Sequence, residues 1–358
     1  MATQINDVPD KFKKIPSKVR KSPHWGSTKK YLGARNLLTK SGNRTIPWPE
    51  YTSQANNAFG RGEHFQGIQR IGKHLIVSGG IKTGEQGSQL MVIRMGTRSE
   101  NGPWALPKYQ FKGFNYKKPS TDDRIVKLVD VDCDRWHAGG IQAADNVIGM
   151  PIYGKPKGSE IRYFDFSDPE NPKEMDITLK KEDARAKAVA LSRLPNKHYM
   201  TMAWDDNNFD FHYCDSEDIK NGFSDTKNRV TKEQVENEFA PGGGGNFGTG
   251  TYQSVNFILD TNGTMYFMAT RNSEKASPTF AGKDFADLYR VDWENGYEKA
   301  PKIRRVDHRQ FFCYDQQCNF GAGAGIYIDD ADHMYLYGAS HWLHDGNKRY
   351  NFNEYSYA

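Results

Sequence analysis

Two stretches decide how this chain is read: His64-Phe65-Gln66-Gly67-Ile68-Gln69 and His137-Ala138-Gly139-Gly140-Ile141-Gln142. Both spell H-x-x-G-I-Q. Each leads through a short polar turn into an apolar run, His74 to Gly79 after the first and Val147 to Ile152 after the second. A polar loop and a third apolar run follow, Leu90 to Met95 and Ile161 to Phe166. Tight turns between alternating apolar stretches mark an antiparallel meander. A motif that returns along the chain marks a repeat architecture.

Three further stretches fit the same frame. Lys187 to Leu194 turns at Pro195-Asn196 into Tyr199 to Met202, and Tyr252 to Phe257 turns at Asp260 to Gly263 into Met265 to Met268. Gly321 to Ile328 turns at Asp329-Asp330 into Met334 to Tyr337. With starts near 64, 137, 187, 252 and 322 the intervals run from 50 to 73 residues. Common propeller repeats take about 40–50, so the excess lies in Gly- and Lys-rich loops. Five four-stranded units with little helix between them predict an all-β chain folded as a five-bladed β-propeller. A β-sandwich is the alternative, and it gives no reason for one motif to open five units.

The last unit ends at Tyr350 to Tyr357, which reads as its third strand. A ring of sheets must close to remove its edges. The missing fourth strand is therefore expected from the N-terminal side, at Arg35 to Thr39. This gives one domain over 31–358 behind a basic arm at 1–30. The arm holds eight lysines and arginines against two aspartates, while the whole chain is only +5, so the basic balance belongs to the arm. Such an arm can meet nucleic acid or an acidic surface. With Phe12 and Trp25 as its only aromatics it has little to stack on bases, so nucleic acid is disfavoured and a solvated arm lying on the propeller is expected.

Tyr163-Phe164-Asp165-Phe166-Ser167-Asp168-Pro169-Glu170-Asn171-Pro172 resembles the strand-then-DPxxP turn found in blades of several bacterial propeller families. With the H-x-x-G-I-Q repeat, it gives the chain a general resemblance to five-bladed β-propeller proteins. The resemblance covers ten residues of one blade; it implies the fold and no activity.

Aromatics at 13% and 34 glycines suit a sheet protein rich in turns. No apolar run approaches the about 20 residues of a membrane span, and residues 1–30 hold no apolar signal-peptide core. A soluble, cytoplasmic protein is expected, or a secreted one if an export signal has been removed. Cys133, Cys214, Cys313 and Cys318 form no C-x-x-C pair, which argues against structural zinc. Cys313 and Cys318 can bridge in an oxidising compartment; reduced, structural cysteines are the plainer expectation. Residues 96–123 carry five aromatics and are expected to fold onto the propeller, as a lid at most. In 216–250, Thr231 to Glu238 reads as a charged helical piece, followed by a glycine-rich connection without the Gly-Lys-Ser/Thr of a phosphate loop.

In a propeller the first strand of each sheet lines the axis, and the second runs back antiparallel. One rim therefore collects the starts of first strands (His64, Gln66, His137, Lys187, Tyr252, Gln253) and the ends of second strands (Lys82, Lys155, Trp204, Asp205, Arg271, Asn272, His341, Trp342). These residues are polar, basic or aromatic where strand interiors are apolar. A concave rim with convergent polar groups is the default site. Strand alternation puts His64, Gln66 and Ile68 on one face and Phe65, Gly67 and Gln69 on the other; the histidine face is assigned to the axis.

Three chemistries suit that rim. In the first, His64 or His137 acts as acid or base while Lys187 and Arg271 hold an anion or oxyanion, in a lyase, cyclase or hydrolase acting on a small anionic or polar substrate. No cofactor is required. In the second, a lectin-like module binds carbohydrate without reaction. In the third, His64, His137 and His341 hold a divalent metal. Five-bladed furanosidases place paired carboxylates around the funnel, whereas Asp205 is the one well-placed carboxylate here. Composition does not decide the oligomeric state.

Overall fold

The computed structural model describes residues 4–15, 17, 34–38, 40–41, 44–45, 65–81, 87–94, 124–154, 158–224, 228–237, 252–272, 284–294, 296–311, 320–339 and 349–356. Among them strands form five sheets of four or more strands and one two-stranded ribbon, Lys40–Ser41 with Arg44–Thr45. The fold is an all-β propeller. Sheet 1 runs Phe65–Ile71, His74–Ile81, Gly87–Arg94 and Arg124–Asp132. Sheet 2 opens with a strand in two pieces, His137–Ala138 and Gln142–Ala144, and continues with Val147–Tyr153, Ser159–Asp165 and Lys173–Lys181. Sheet 3 is Ala188–Arg193, Tyr199–Trp204, Asn208–Cys214 and Asn228–Thr231. Sheet 4 is Ser254–Asp260, Met265–Asn272, Asp284–Asp292 and Lys302–Phe311. Sheet 5 is Ala324–Ile328, Met334–Ala339 and Arg349–Ser356, completed by Ala34–Leu38, which pairs antiparallel with its third strand.

The sheets share one local device. Between first and second strand each carries one residue in the left-handed region: Gly72 (φ 54), Asp145 (φ 52), Lys197 (φ 68), Gly263 (φ 87) and Asp332 (φ 62). A reversal this tight matches strand twist only with positive φ. The first strands touch in sequence around the hub, and that of sheet 5 meets that of sheet 1.

At the hub the repeated motif shows what it is for. Gln142 spans three sheets: its Oε1 accepts the backbone N–H of Leu191 at 2.9 Å and of Phe257 at 2.7 Å, and its Nε2 donates to the Phe257 carbonyl at 2.8 Å. The motif glycines allow the approach. A Cβ on Gly67 would stand 2.8 Å from the Ile141 nitrogen, and one on Gly140 would stand 2.3 Å from the Gln253 carbonyl oxygen. The glycine and glutamine of H-x-x-G-I-Q thus close the hub.

Three expectations are corrected. First, simple alternation fails in Phe65–Ile71, because the register shifts between Phe65 and Gly67. Phe65 and Ile68 consequently enter the same apolar cluster with Tyr337 and Phe352 of sheet 5, so Ile68 does not share an axial face with Gln66. Second, Thr231 to Glu238 is not an α-helix. It is a strand end, a single 3-10 turn at Lys232–Gln234 with Thr231 and Gln234 capping each other, and the short strand Glu236–Asn237 laid parallel on the last strand of sheet 4.

Third, residues 4–15 are not a solvated arm. Gln4–Ile5 pairs parallel with Leu259 and Asp260, on the inner edge of sheet 4. The helix Val8–Lys14 follows, capped by Asp7, whose Oδ1 accepts the Asp10 N–H. Ile5, Val8, Phe12 and Ile15 are fully buried among Ile258, Leu288, Phe311, Ile326 and Leu336 of sheets 4 and 5. Lys11 holds Asp332 at 2.5 Å. Val8 and Phe12 form one face of the helix, and Ile5 before it and Ile15 at its C-cap extend the same apolar side, a pattern that the count of lysines concealed. Residues 96–123, Cys313 and Cys318 lie outside the described residues; Cys133 is exposed and Cys214 buried, both as thiols.

Phe12→Ala should lower unfolding free energy by about 3–5 kcal/mol in urea denaturation; a solvated arm would give no change. Gln142→Leu strands two buried N–H donors at about 1–3 kcal/mol each and should cost roughly 2–6 kcal/mol by the same measurement.

Candidate functional site

Gly140 and Gln142 stand where the inner strands approach one another most closely. Three expected segments meet there. The Gly140 N–H donates to the Lys187 carbonyl at 2.9 Å, and Gly140 backs onto Gln253. The His137 segment, Lys187 and Gln253 therefore stand together, from sheets 2, 3 and 4. His137 is half-buried. Its ring stacks on Trp136 (centroids 5.4 Å apart, planes 4° apart) and tilts against Tyr153 at 4.3 Å. The arrangement follows from strand pairing, because His137 stands opposite Tyr153 in the ladder.

Lys187 forms an ion pair with Asp206, both half-exposed. Asp206 lies in the left-handed region (φ 81), which an ordinary L-residue occupies at a cost. One of its carboxylate oxygens is buried without a hydrogen-bond partner. The preceding residue holds the turn. Asp205 Oδ1 accepts the N–H groups of Asn207 (3.0 Å) and Asn208 (2.8 Å), while Oδ2 is held by Lys181 at 2.8 Å. Asp205, expected to face substrate, is a buried positioning residue, and Asp206 beside it carries the carboxylate at the rim. Burial pushes the Tyr153 phenol far above its ordinary value; Arg185 draws it down and Asp206 raises it further. Tyr153 thus lies within electrostatic reach of both.

Other expected residues turn inward. Trp204 is buried against Phe209 (4.5 Å) and Tyr252 (5.5 Å). Tyr252 donates to Asp287 at 2.9 Å and bonds the hydroxyl of Tyr289. Arg271 also reaches Asp287, at 3.4 Å, and lies on the ring of Phe285. Asn272 donates to Asp284 at 2.8 Å. Gln66 is buried. Most of these contacts brace sheet 4 from within, and Trp204 against Tyr252 joins sheets 3 and 4. His64, His341 and Trp342, with Lys82 and Lys155, lie outside the described residues. Of the three-histidine metal set only His137 is described, and among the described residues no three His, Cys, Asp or Glu side chains are grouped to hold a metal ion.

Trp136, Tyr153, Arg185 and Asp206 were missed. Asp205-Asp206-Asn207-Asn208 at a strand end was the available signal for Asp206, since Asp and Asn form such turns. Tyr153 ends a second strand, the position that supplied Lys82 and Trp204 to the expected set.

Asp287 organises a buried cluster in sheet 4. Besides Tyr252 and Arg271 it accepts from His308 Nδ1 at 2.6 Å and Arg305 Nη1 at 3.3 Å. Burial alone would raise its carboxyl. The hydrogen bond and charge of His308, with the charges of Arg271 and Arg305, outweigh burial and hold it below the usual carboxylate range. A second network joins sheets 2 and 3: Asp210 is held by Lys181 and, at 2.7 Å, by Arg229, and is likewise depressed despite burial.

No protein-family model matches the sequence, and no curated protein does. Several solved structures follow a similar course. A GH43 endo-arabinanase from Bacillus licheniformis is 9% identical with a TM-score of 0.42, covering 80% of this chain and 92% of that one. A GH43_1 enzyme from Xanthomonas citri complexed with xylose is 7% identical, with a TM-score of 0.46 and coverage of 86% and 93%. MPT-1, a GDP-Man-dependent mannosyltransferase from Leishmania mexicana, is 9% identical, with a TM-score of 0.43 and coverage of 82% and 86%. Likeness at this level carries no chemistry across. No described helix is long and apolar enough to cross a membrane.

A carboxyl held below its ordinary value gives stability that is present above the unfolded-state pKa of about 4 and is lost as pH falls through the depressed folded value. Asp287→Asn should therefore flatten the acid limb of the stability–pH curve below about pH 4. It should also cost about 3–5 kcal/mol at neutral pH, because arginines remain without their buried partner. Chemical denaturation at a series of pH values checks both.

Proposed function

We propose that the chain is a five-bladed propeller, with the five sheets as its blades and Ala34–Leu38 as the closing strand, and that it is a hydrolase acting on carbohydrate at the rim between sheets 2 and 3. The carrying observation is the meeting of two groups there: Trp136 and His137, stacked and backed by Tyr153, and the Lys187–Asp206 pair. A sugar offers apolar C–H faces and a fringe of hydroxyls. Aromatic side chains with a polar tip suit the first, and Gln253, Lys187 and Asp206 suit the second.

In this reading Asp206 accepts a proton from the attacking water, and Lys187 holds the carboxylate in place. His137 donates a proton to the leaving oxygen. The bond between the anomeric carbon and the bridging oxygen breaks as the water oxygen bonds to that carbon. The pair differs from the two carboxylates of most glycoside hydrolases, since an imidazole takes the acid's part. The backbone conformation of Asp206 adds support, because strained residues collect at functional sites.

Asp206→Asn keeps the shape of the side chain, and Asn tolerates positive φ. It should reduce glycoside turnover by about 100-fold or more, measured by release of reducing ends from a polysaccharide panel and of nitrophenol from aryl glycosides. Sugar binding by calorimetry should stay within a few-fold. His137→Gln should behave alike. Wild-type protein that binds sugars and releases nothing would establish the lectin-like alternative. Full turnover in Asp206→Asn would move the chemistry elsewhere.

A further inference from the structure

Most cations near this rim are already neutralised. Lys187 is paired with Asp206, Lys181 with Asp205 and Asp210, and Arg229 with Asp210 and Asp183. On the neighbouring seam Arg162 holds Asp132 at 2.6 Å and Arg135 holds Glu160 at 3.0 Å. Arg185 is different. It is exposed, and no carboxylate among the described residues pairs with it. Its guanidinium carbon lies 5.7 Å from the centre of the Tyr153 ring, the same ring that His137 leans on. Tyr153 is therefore bordered by the aromatic pair and by a cation without a carboxylate partner among the described residues.

From this juxtaposition we infer that the substrate carries a carboxylate, as an acidic sugar of the uronate class, and that Arg185 is the residue that selects it. The inference rests on the carbohydrate reading of the same rim. A guanidinium presents a planar fork of N–H donors that matches a carboxylate with two parallel hydrogen bonds. Contact with an aromatic ring limits the positions the fork samples and lowers the entropy lost on binding. A sugar whose ring lies by Trp136 and His137 directs a ring substituent toward the border of Tyr153, and a carboxylate there meets Arg185. A neutral hydroxymethyl group at that position leaves the guanidinium with water alone. Lys187 cannot substitute, since its charge is already used by Asp206.

The test is binding of oligosaccharides of glucuronate, galacturonate and mannuronate, each against its carboxyl-reduced counterpart, by calorimetry with full-length protein. At least one acid should bind about tenfold or more tightly than its reduced partner, the gain of a charge-assisted pair. In Arg185→Gln that preference should fall to within a few-fold while the reduced sugar binds unchanged. Arg185→Lys should keep part of it, because the charge remains without the fork. Arg185 is exposed, so both variants are expected to fold, and circular dichroism verifies this. Equal binding of acid and reduced sugar, or a preference that survives Arg185→Gln, overturns the inference and leaves the carbohydrate site standing. Failure of every sugar, charged or neutral, to bind overturns both.

Discussion

One side chain ties the inner strands of three sheets together. Gln142 occupies the hub, with both ends of its amide engaged by the backbones of sheets 3 and 4. A buried amide must find such partners or lose them at a cost, and here the partners belong to strands far apart in sequence. Where these strands meet, Gly140 lies so close to the Gln253 carbonyl that a side chain there would clash, and Gly67 lies tightly against Ile141. Other polar groups, His137, Lys187 and Gln253, gather where the first strands begin.

The rim site takes its parts from strand pairing and one turn. Strand pairing sets His137 against Tyr153, and the turn after Trp204 offers Asp206 to Lys187. The turn is rigid because Asp205 uses one oxygen on its backbone and the other on Lys181. The buried networks around Asp287 and Asp210 anchor the outer strands from within, each with more than one cation on a single carboxylate. They show where several of the polar residues at strand ends spend their hydrogen bonds.

How much of this could be read from residues alone follows from range. The strands and turns rest on local patterns, and they stand in the structure with shifts of a residue or two: Ala34–Leu38 for Arg35 to Thr39, and Arg349–Ser356 for Tyr350 to Tyr357. In the motif the histidine is the residue that suggests chemistry, while Gly67, Gly140 and Gln142 carry architecture that six residues do not announce. A bulge at Phe65–Gly67 undid the alternation that had assigned faces, and no pattern in six residues announces it. Asp205 was chosen over Asp206 because a carboxylate's partners, here Lys181 from another sheet, are invisible in sequence. In the arm, charge outnumbered the four apolar residues that decide its place.

The inserted segment Gln4 to Ile15 has a consequence for how the chain is made. It is synthesised well before sheets 4 and 5, yet its apolar side chains fit only between them. Until Ile258, Phe311 and Leu336 exist, Val8 and Phe12 have nowhere to go. The nascent chain must carry an unsatisfied apolar stripe until sheets 4 and 5 have been made, and the seam between those sheets cannot set before then. Contacts separated by more than 250 residues are slow to form by chance encounter. Docking of this segment is thereby one of the late steps in assembling the molecule.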